Sequence, residues 1–222
     1  MTAYVTRAGD GIPVEGLTEK WSGDADFTAD ALKENTTSMS IADADGNMIC
    51  LTQSLGSAYG SGVMIPGTGV ILNNFLNWTD LNPASPNALQ PGKRIAMCLA
   101  PSISTRDGKG ILALGTPGSY GILQTQGQAM VGHVDFGLDI QAAIEMPRAR
   151  LWDGKQIYLE RRVPHSFCVE LSARGHDVAL LPDYSWRPGA MHAISRDPAR
   201  CSLRSADPTS ELHSQAYLVC PL

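Results

Sequence analysis

The chain has 222 residues, enough for one large domain or one and a half. Its hydrophobic fraction of 43% is ordinary for a globular protein, whereas the charged fraction of 18% is low and suits a surface partly covered by a partner. A net charge of -5 with no run of Lys or Arg argues against a nucleic-acid partner, and no apolar stretch reaches membrane-spanning length. The five cysteines (Cys50, Cys98, Cys168, Cys201 and Cys220) are scattered and lack CxxC spacing. That disfavours a disulfide framework or a zinc site and suits a reducing compartment. The five histidines are equally dispersed, so no metal and no cofactor is expected. Without a basic-then-apolar leader in this sequence, a cytoplasmic location is expected, or a periplasmic or extracellular one if a signal lies upstream.

In chain order, residues 1–33 are Gly/Pro-rich and then polar, with a short helix expected over Ala25 to Lys33. Regular β patterning begins at Asn35. Thr36 to Ala42 alternates hydroxyl and apolar residues, Asp45-Gly46 is a tight-turn signal, and Met48 to Ser54 reads as the return strand. A two- or three-residue turn would set Thr36 or Thr37 opposite Ser54. The glycine-rich stretch from Gly56 to Gly62 lacks the P-loop and dinucleotide spacings and reads as a loop whose backbone approaches something closely. Val70 to Leu72 reads as a short buried strand. Asn73 to Leu89 reads as a long polar loop with two exposed aromatics, Phe75 and Trp78. Ile95 to Ala100 is apolar throughout, as in a fully buried strand.

Ile103 to Thr105 and Ile111 to Leu114 flank a second hairpin at Arg106 to Lys109. Gly115 to Gly121 leads into a helix from about Ile122 to Val134, with its apolar residues mostly on one side. Asp139 caps a helix through Glu145, ended by Pro147. A strand follows over Gln156 to Glu160, then a helix from His165 to Arg174 stopped by Gly175, and strands over Val178 to Leu181 and Met191 to Ser195. Strands, helices and strands again give an α+β fold with largely antiparallel sheets.

Two features bear on chemistry. A strand, then Gly118-Ser119, then a helix presents unsatisfied backbone N–H groups suited to an oxyanion. A hydroxyl nucleophile needs a base, yet no GxSxG elbow and no His/Asp constellation is present. A threonine that becomes N-terminal by chain cleavage carries its own base, an α-amine of pKa about 7.7–8.0. Asn35-Thr36 is placed for that cleavage.

The runs Asn-Thr-Thr-Ser-Met-Ser-Ile-Ala-Asp-Ala-Asp-Gly-Asn (35–47), Leu-Thr-Gln-Ser (51–54), Gly-Ser-Gly-Val (60–63), Pro-Gly-Thr-Gly-Val-Ile-Leu-Asn-Asn (66–74), Pro-Gly-Lys-Arg (91–94), Leu-Gly-Thr-Pro-Gly-Ser (114–119), Asp-Phe-Gly-Leu (135–138), Pro-Arg (147–148) and Ala-Asp-Pro (206–208) occur in one order. Together they resemble the small, catalytic subunit of the γ-glutamyltransferase (glutathione hydrolase) family of N-terminal-nucleophile hydrolases. The resemblance runs from about Asn35 to Pro208. It implies a four-layer αββα sandwich, incomplete without a large subunit, with residues 1–35 as the end of a pro-region or large subunit and 36–222 as the small subunit. It implies Thr36 as the autoprocessing residue and nucleophile, Ser54 as its hydrogen-bonding partner, and Gly118 and Ser119 as the oxyanion-holding pair. The implied partners are a small-molecule amide substrate and a large subunit, which would supply half of the sandwich and an arginine for the substrate carboxylate.

The glutamate-reading positions depart from the family. Gly56 stands where Asn is usual, Phe75 where Gln or Glu is usual, and Trp78 where Asp is usual. Met97-Cys98 replaces a Ser-Ser pair and Ser38 a common His. An aromatic and thioether lining favours an apolar or flat acyl group, so an amidase or acylase acting on something other than glutathione is expected. The rival reading is a non-catalytic unit that keeps the fold for structure or binding.

Overall fold

The computed structural model describes residues 35–43 and 45–196. The expected helix over Ala25 to Lys33 and the 206–208 motif lie outside the described residues. The chain divides into two units. One comprises residues 54–98 and 153–155, the other 36–53, 99–152 and 156–196.

In the larger unit, strand β1 (Asn35–Ala42) is joined through residues 43–47 to β2 (Met48–Gly56), a longer connection than the expected two- or three-residue turn. The Asp43 amide donates to the Asn47 carbonyl at 3.1 Å, and the Asp43 carboxylate accepts from the Asn47 amide at 2.8 Å and from its side chain at 2.7 Å. The alternation of the hairpin is inverted relative to an ordinary surface sheet. Thr36, Ser38, Ser40, Met48, Cys50 and Thr52 turn inward, while Met39, Ile41, Ile49 and Leu51 are exposed.

The inward face is small and polar because it lies on another sheet. That sheet runs β3 (Ser102–Arg106), β4 (Lys109–Gly115) and β8 (His192–Ser195), antiparallel throughout, with Leu112 opposite Ser195 and Gly115 opposite His192. A Cβ on Gly115 would stand 2.2 Å from Ser38 Oγ and 3.1 Å from Cys50 Sγ, so only glycine fits beneath the hairpin. Ser40 Oγ donates to the His192 carbonyl at 3.3 Å.

The opposite face of β4 builds the core, with Leu112 and Leu114 packing with Ala129, Ile140, Ile144, Met191 and Ala193. Helix α1 (Gly121–Val134) supplies Ala129 and buries Ile122. Its apolar residues do not share one side as expected, since Leu123, Val131 and Val134 are exposed. Helix α2 (Ile140–Glu145) starts where Asp139 Oδ1 accepts from the Gln141 amide at 3.0 Å, as its sequence indicates. A third sheet has the order β5 (Ala149–Asp153), β6 (Gln156–Glu160), β7 (Asp177–Leu181). Strands β6 and β7 are parallel, joined by helix α3 (His165–Ala173) in the crossover that a parallel pair requires. Strand β5, unanticipated, carries Arg150, and Arg148 immediately precedes it; these are the two most deeply buried arginines.

The smaller unit has little regular structure. Ile71 makes one isolated bridge, to Met64, while Val70 and Leu72 are exposed, so the expected buried strand is absent. Residues 95–100 form no strand either, and Met97 is exposed. Around residues 95–100 a polar side chain takes part of the backbone's bonding: Asn87 donates to the Trp78 carbonyl at 2.7 Å and accepts from the Ala96 amide at 2.8 Å. Hydrophobic runs are insufficient for a strand where asparagine side chains have captured the backbone.

Gly115→Ala is expected to destabilise the protein by about 1–3 kcal/mol through overpacking against Ser38, read as a drop of several degrees in the thermal midpoint. The Asn47 side chain, then the Asn47 amide, hold the Asp43 carboxyl below its usual value. A depressed folded pKa stabilises the turn at pH above the unfolded value, and that contribution is lost as pH falls through the folded one. Asn47→Ala should move the Asp43 titration, followed by NMR, upward toward the ordinary carboxylate range.

Candidate active site

Thr36, Gly118 and Ser119 belong to one unit and start from one crossing point. Ser38 lies over Gly115. Thr36 is two residues from Ser38 on the same strand face, about 7 Å along a strand. Gly118 is three residues beyond Gly115, about 10 Å at full extension. Thr36 is half-buried on the inward, polar side of β1. Beneath the hairpin, Ser38 Oγ and Thr52 Oγ1 are buried with no hydrogen-bond partner among the described residues.

The turn into α1 is strained. Gly118 has φ +127° and Ser119 φ +52°, a left-handed conformation that costs a non-glycine residue roughly 1–2 kcal/mol. The turn closes through its carbonyls: Gly118 accepts from the Gly121 amide at 2.9 Å and Ser119 from the Ile122 amide at 3.1 Å. The amides of Gly118 and Ser119 donate to no described residue. Successive uncommitted N–H groups in such a turn, at the positive end of a helix, form an anion-binding concavity.

Around the turn, Thr116 Oγ1 donates to the Pro117 carbonyl at 2.6 Å and Gln126 Nε2 to the Leu114 carbonyl at 3.2 Å. Behind it stands a loop over residues 185–189 that sequence reading did not connect with the site. A Cβ on Gly118 would stand 3.0 Å from Gly189 Cα. The loop carbonyls are held in turn by Arg148, just before β5, and by Arg150 within it. Pro-Arg at 147–148 was visible as a motif, but no local pattern ties it to residues some 40 positions later.

The remaining predicted site residues belong to the smaller unit. Ser54 Oγ accepts from the Gly56 amide at 3.0 Å. Phe75 opens a 3₁₀ turn (Phe75–Trp78) and is buried rather than exposed, its ring meeting Trp78 edge-on at 5.3 Å between centroids. Trp78 is half-buried. Met97 is exposed and Cys98 buried, so the adjacent pair does not present one common surface. At Gly56 the space for a side chain is already taken: a Cβ would stand 2.1 Å from Asn74 Oδ1. Asn74 is fixed there, donating to Ser57 Oγ at 2.6 Å and accepting from the Ser57 amide at 3.2 Å. Asn74 is thus a neighbour of the predicted lining that residue type alone did not reveal.

Comparison with known proteins gives one consistent family. The model of the Gamma-glutamyltranspeptidase family matches residues 12–217. The Acylase ACY 1 proenzyme of Pseudomonas sp. (strain SE83) is 36% identical over 165 residues, 74% of this chain and 29% of that protein. The glutathione hydrolase proenzyme of Bacillus subtilis (strain 168) is 33% identical over 153 residues, 69% of this chain and 26% of that protein. The chain therefore spans less than a third of the length of these curated relatives. Among solved structures, the Gamma-glutamyltranspeptidase from Pseudomonas nitroreducens complexed with L-DON superposes with a TM-score of 0.69 at 31% identity, covering 82% of this chain and 99% of that one. The cephalosporin acylase from Bacillus halodurans gives 0.68 at 34% identity, covering 78% and 32%.

Gly56→Ala is expected to displace Asn74 and destabilise by about 1–3 kcal/mol. With Asn74→Ala already in place the same change should cost less, a coupling of roughly 1 kcal/mol in a double-mutant thermal-melt cycle. Strict additivity would refute the steric reading.

Proposed function

Because this chain belongs to the Gamma-glutamyltranspeptidase family, we propose that it is the nucleophile-bearing part of an amidohydrolase or acyltransferase, activated by cleavage between Asn35 and Thr36. The observation that carries this reading is the pair of uncommitted amides at Gly118 and Ser119, in the same unit as the threonine at the head of β1.

In the proposed reaction the α-amine of the liberated Thr36, with a pKa of about 7.7–8.0, removes the proton from its own hydroxyl. The hydroxyl oxygen adds to the substrate amide carbon. The developing oxyanion takes hydrogen bonds from the Gly118 and Ser119 amides, each worth about 2.7–4 kcal/mol in such a setting. The α-ammonium returns its proton to the departing amine as the C–N bond breaks, leaving an ester on Thr36. Water, or an acceptor amine, then attacks that ester with the α-amine again as base.

The acyl group proposed is apolar or flat rather than γ-glutamyl. Gly56, Phe75 and Trp78 offer neither charge nor amide to an amino-acid head group, and Met97 and Cys98 replace hydroxyls with sulfur. Phe75 acts through Trp78, against whose ring it packs. Two of the similar proteins carry the name acylase. A polypeptide corresponding to the remainder of the relatives' proenzymes is the proposed partner. The row of exposed Met39, Ile41, Ile49 and Leu51 on the outer hairpin face is the kind of surface such a partner covers.

With the partner polypeptide present, intact-mass measurement should show a chain beginning at Thr36. Thr36→Ala should abolish cleavage and reduce amide hydrolysis to background, while Thr36→Ser retains both. Gly118→Ala, whose Cβ would press on Gly189 Cα and displace the amide, should lower kcat by about 10²-fold. A phenylacetyl anilide should outcompete γ-glutamyl anilide. A full-length protein unaffected by Thr36→Ala would instead establish a non-catalytic unit.

A further inference from the structure

Arg148 and Glu160 form a buried ion pair, with Nη2 2.7 Å from Oε1 and side chains 2% and 0% exposed. Such a pair is weak evidence for stability, since apolar residues of similar volume often serve as well. What distinguishes this one is where its remaining hydrogen bonds go. Arg148 Nη1 donates to the Gly189 carbonyl at 2.7 Å and Nη2 to the Ser185 carbonyl at 2.8 Å. Glu160 Oε2 accepts from the Arg148 amide at 3.0 Å and is also engaged by Arg162, so the carboxylate is fixed from two sides. Two residues on, within β5, Arg150 Nη1 donates to the Arg187 carbonyl at 2.8 Å. Three carbonyls of one short loop are thus tied to two guanidinium groups, one just before β5 and one within it.

The other side of that loop is the strained turn. Glycine meets glycine there: a Cβ on Gly118 would lie 3.0 Å from Gly189 Cα and 3.3 Å from the Pro188 carbonyl oxygen. A Cβ on Gly189, whose φ is +134°, would lie 2.5 Å from Thr116 Oγ1 and 2.9 Å from the Pro117 carbonyl oxygen. Gly121, at the start of α1, is limited likewise by the Pro188 carbonyl oxygen at 3.1 Å. No flexible side chain cushions the contact between Gly118 and Gly189, so a shift of the loop is passed directly to the turn. Left-handed residues persist only where their surroundings over-determine them.

We infer that Arg148, fixed by Glu160, is a positioning residue that holds the Gly118–Ser119 amides in place by pinning residues 185–189 behind them. The inference rests on the proposed oxyanion role of that turn. Lysine cannot perform the task, because one ammonium lacks the planar fork that reaches Gly189, Ser185 and Glu160 together.

The test compares Arg148→Lys with Ile144→Val, a core change matched for loss of thermal midpoint, in the cleaved protein with its partner. Arg148→Lys should lower kcat by about 10²-fold, the usual consequence of a small misplacement, with KM unchanged within twofold. Amide hydrogen exchange at Gly118 and Ser119 should accelerate at least about tenfold. Ile144→Val should do neither. If Arg148→Lys does not fold, Glu160→Gln is read the same way. Equal kcat in the two matched variants, or unchanged exchange at Gly118 and Ser119, would overturn the assignment. Exchange needs no turnover, so accelerated exchange in a protein that hydrolyses no amide supports the clamp while refuting the proposed reaction.

Discussion

The close stacking of the β1–β2 hairpin on Gly115 is the contact on which the rest of the larger unit depends. Two sheets ordinarily lie about 10 Å apart with side chains between them. Here one position has no side chain, and Ser38 and Cys50 occupy its place. Glycine beneath and small polar residues above bring the head of β1 to the strand that leads into the Gly118 turn. A strand with large apolar residues facing inward would have lifted Thr36 away from it.

The inverted polarity of the hairpin follows from the same contact. Its inward face holds hydroxyls and a thiol, so its apolar residues must point out, and Met39, Ile41, Ile49 and Leu51 do. An amphipathic strand pair normally shows water its polar side. One that hides its polar side leaves an apolar side exposed. This agrees with a chain that spans less than a third of its proenzyme relatives and shares its architecture with N-terminal-nucleophile hydrolases.

Support for the turn comes from charge rather than from hydrophobic packing. The core of Leu112, Leu114, Ile140 and Ile144 positions α1 as a body. The last few tenths of an ångström at Gly118 are set by a loop that ends on Arg148 and Arg150. Directional hydrogen bonds from a planar guanidinium fix a backbone more narrowly than apolar contact does. In the smaller unit asparagine does similar work: Asn74 fills the space over Gly56, and Asn87 ties Trp78 to Ala96.

Local physics made much of this legible from residues alone. The period-two pattern of Thr36 to Ala42, the Asp139 cap and the Gly175 stop each depend on neighbours within a few positions, and each stands where the sequence indicates. The Gly118-Ser119 turn into a helix was legible for the same reason. Tertiary structure alone decided the rest. Val70 to Leu72 and Ile95 to Ala100 look like buried strands by composition, yet Val70, Leu72 and Met97 are exposed, the first run making only an isolated bridge and the second giving its Ala96 amide to Asn87. Phe75 is buried because a 3₁₀ turn folds its ring against Trp78. The grip of Arg148 and Arg150 on residues 185–189 joins positions some 40 residues apart, and a contact between distant segments leaves no periodic trace in either of them.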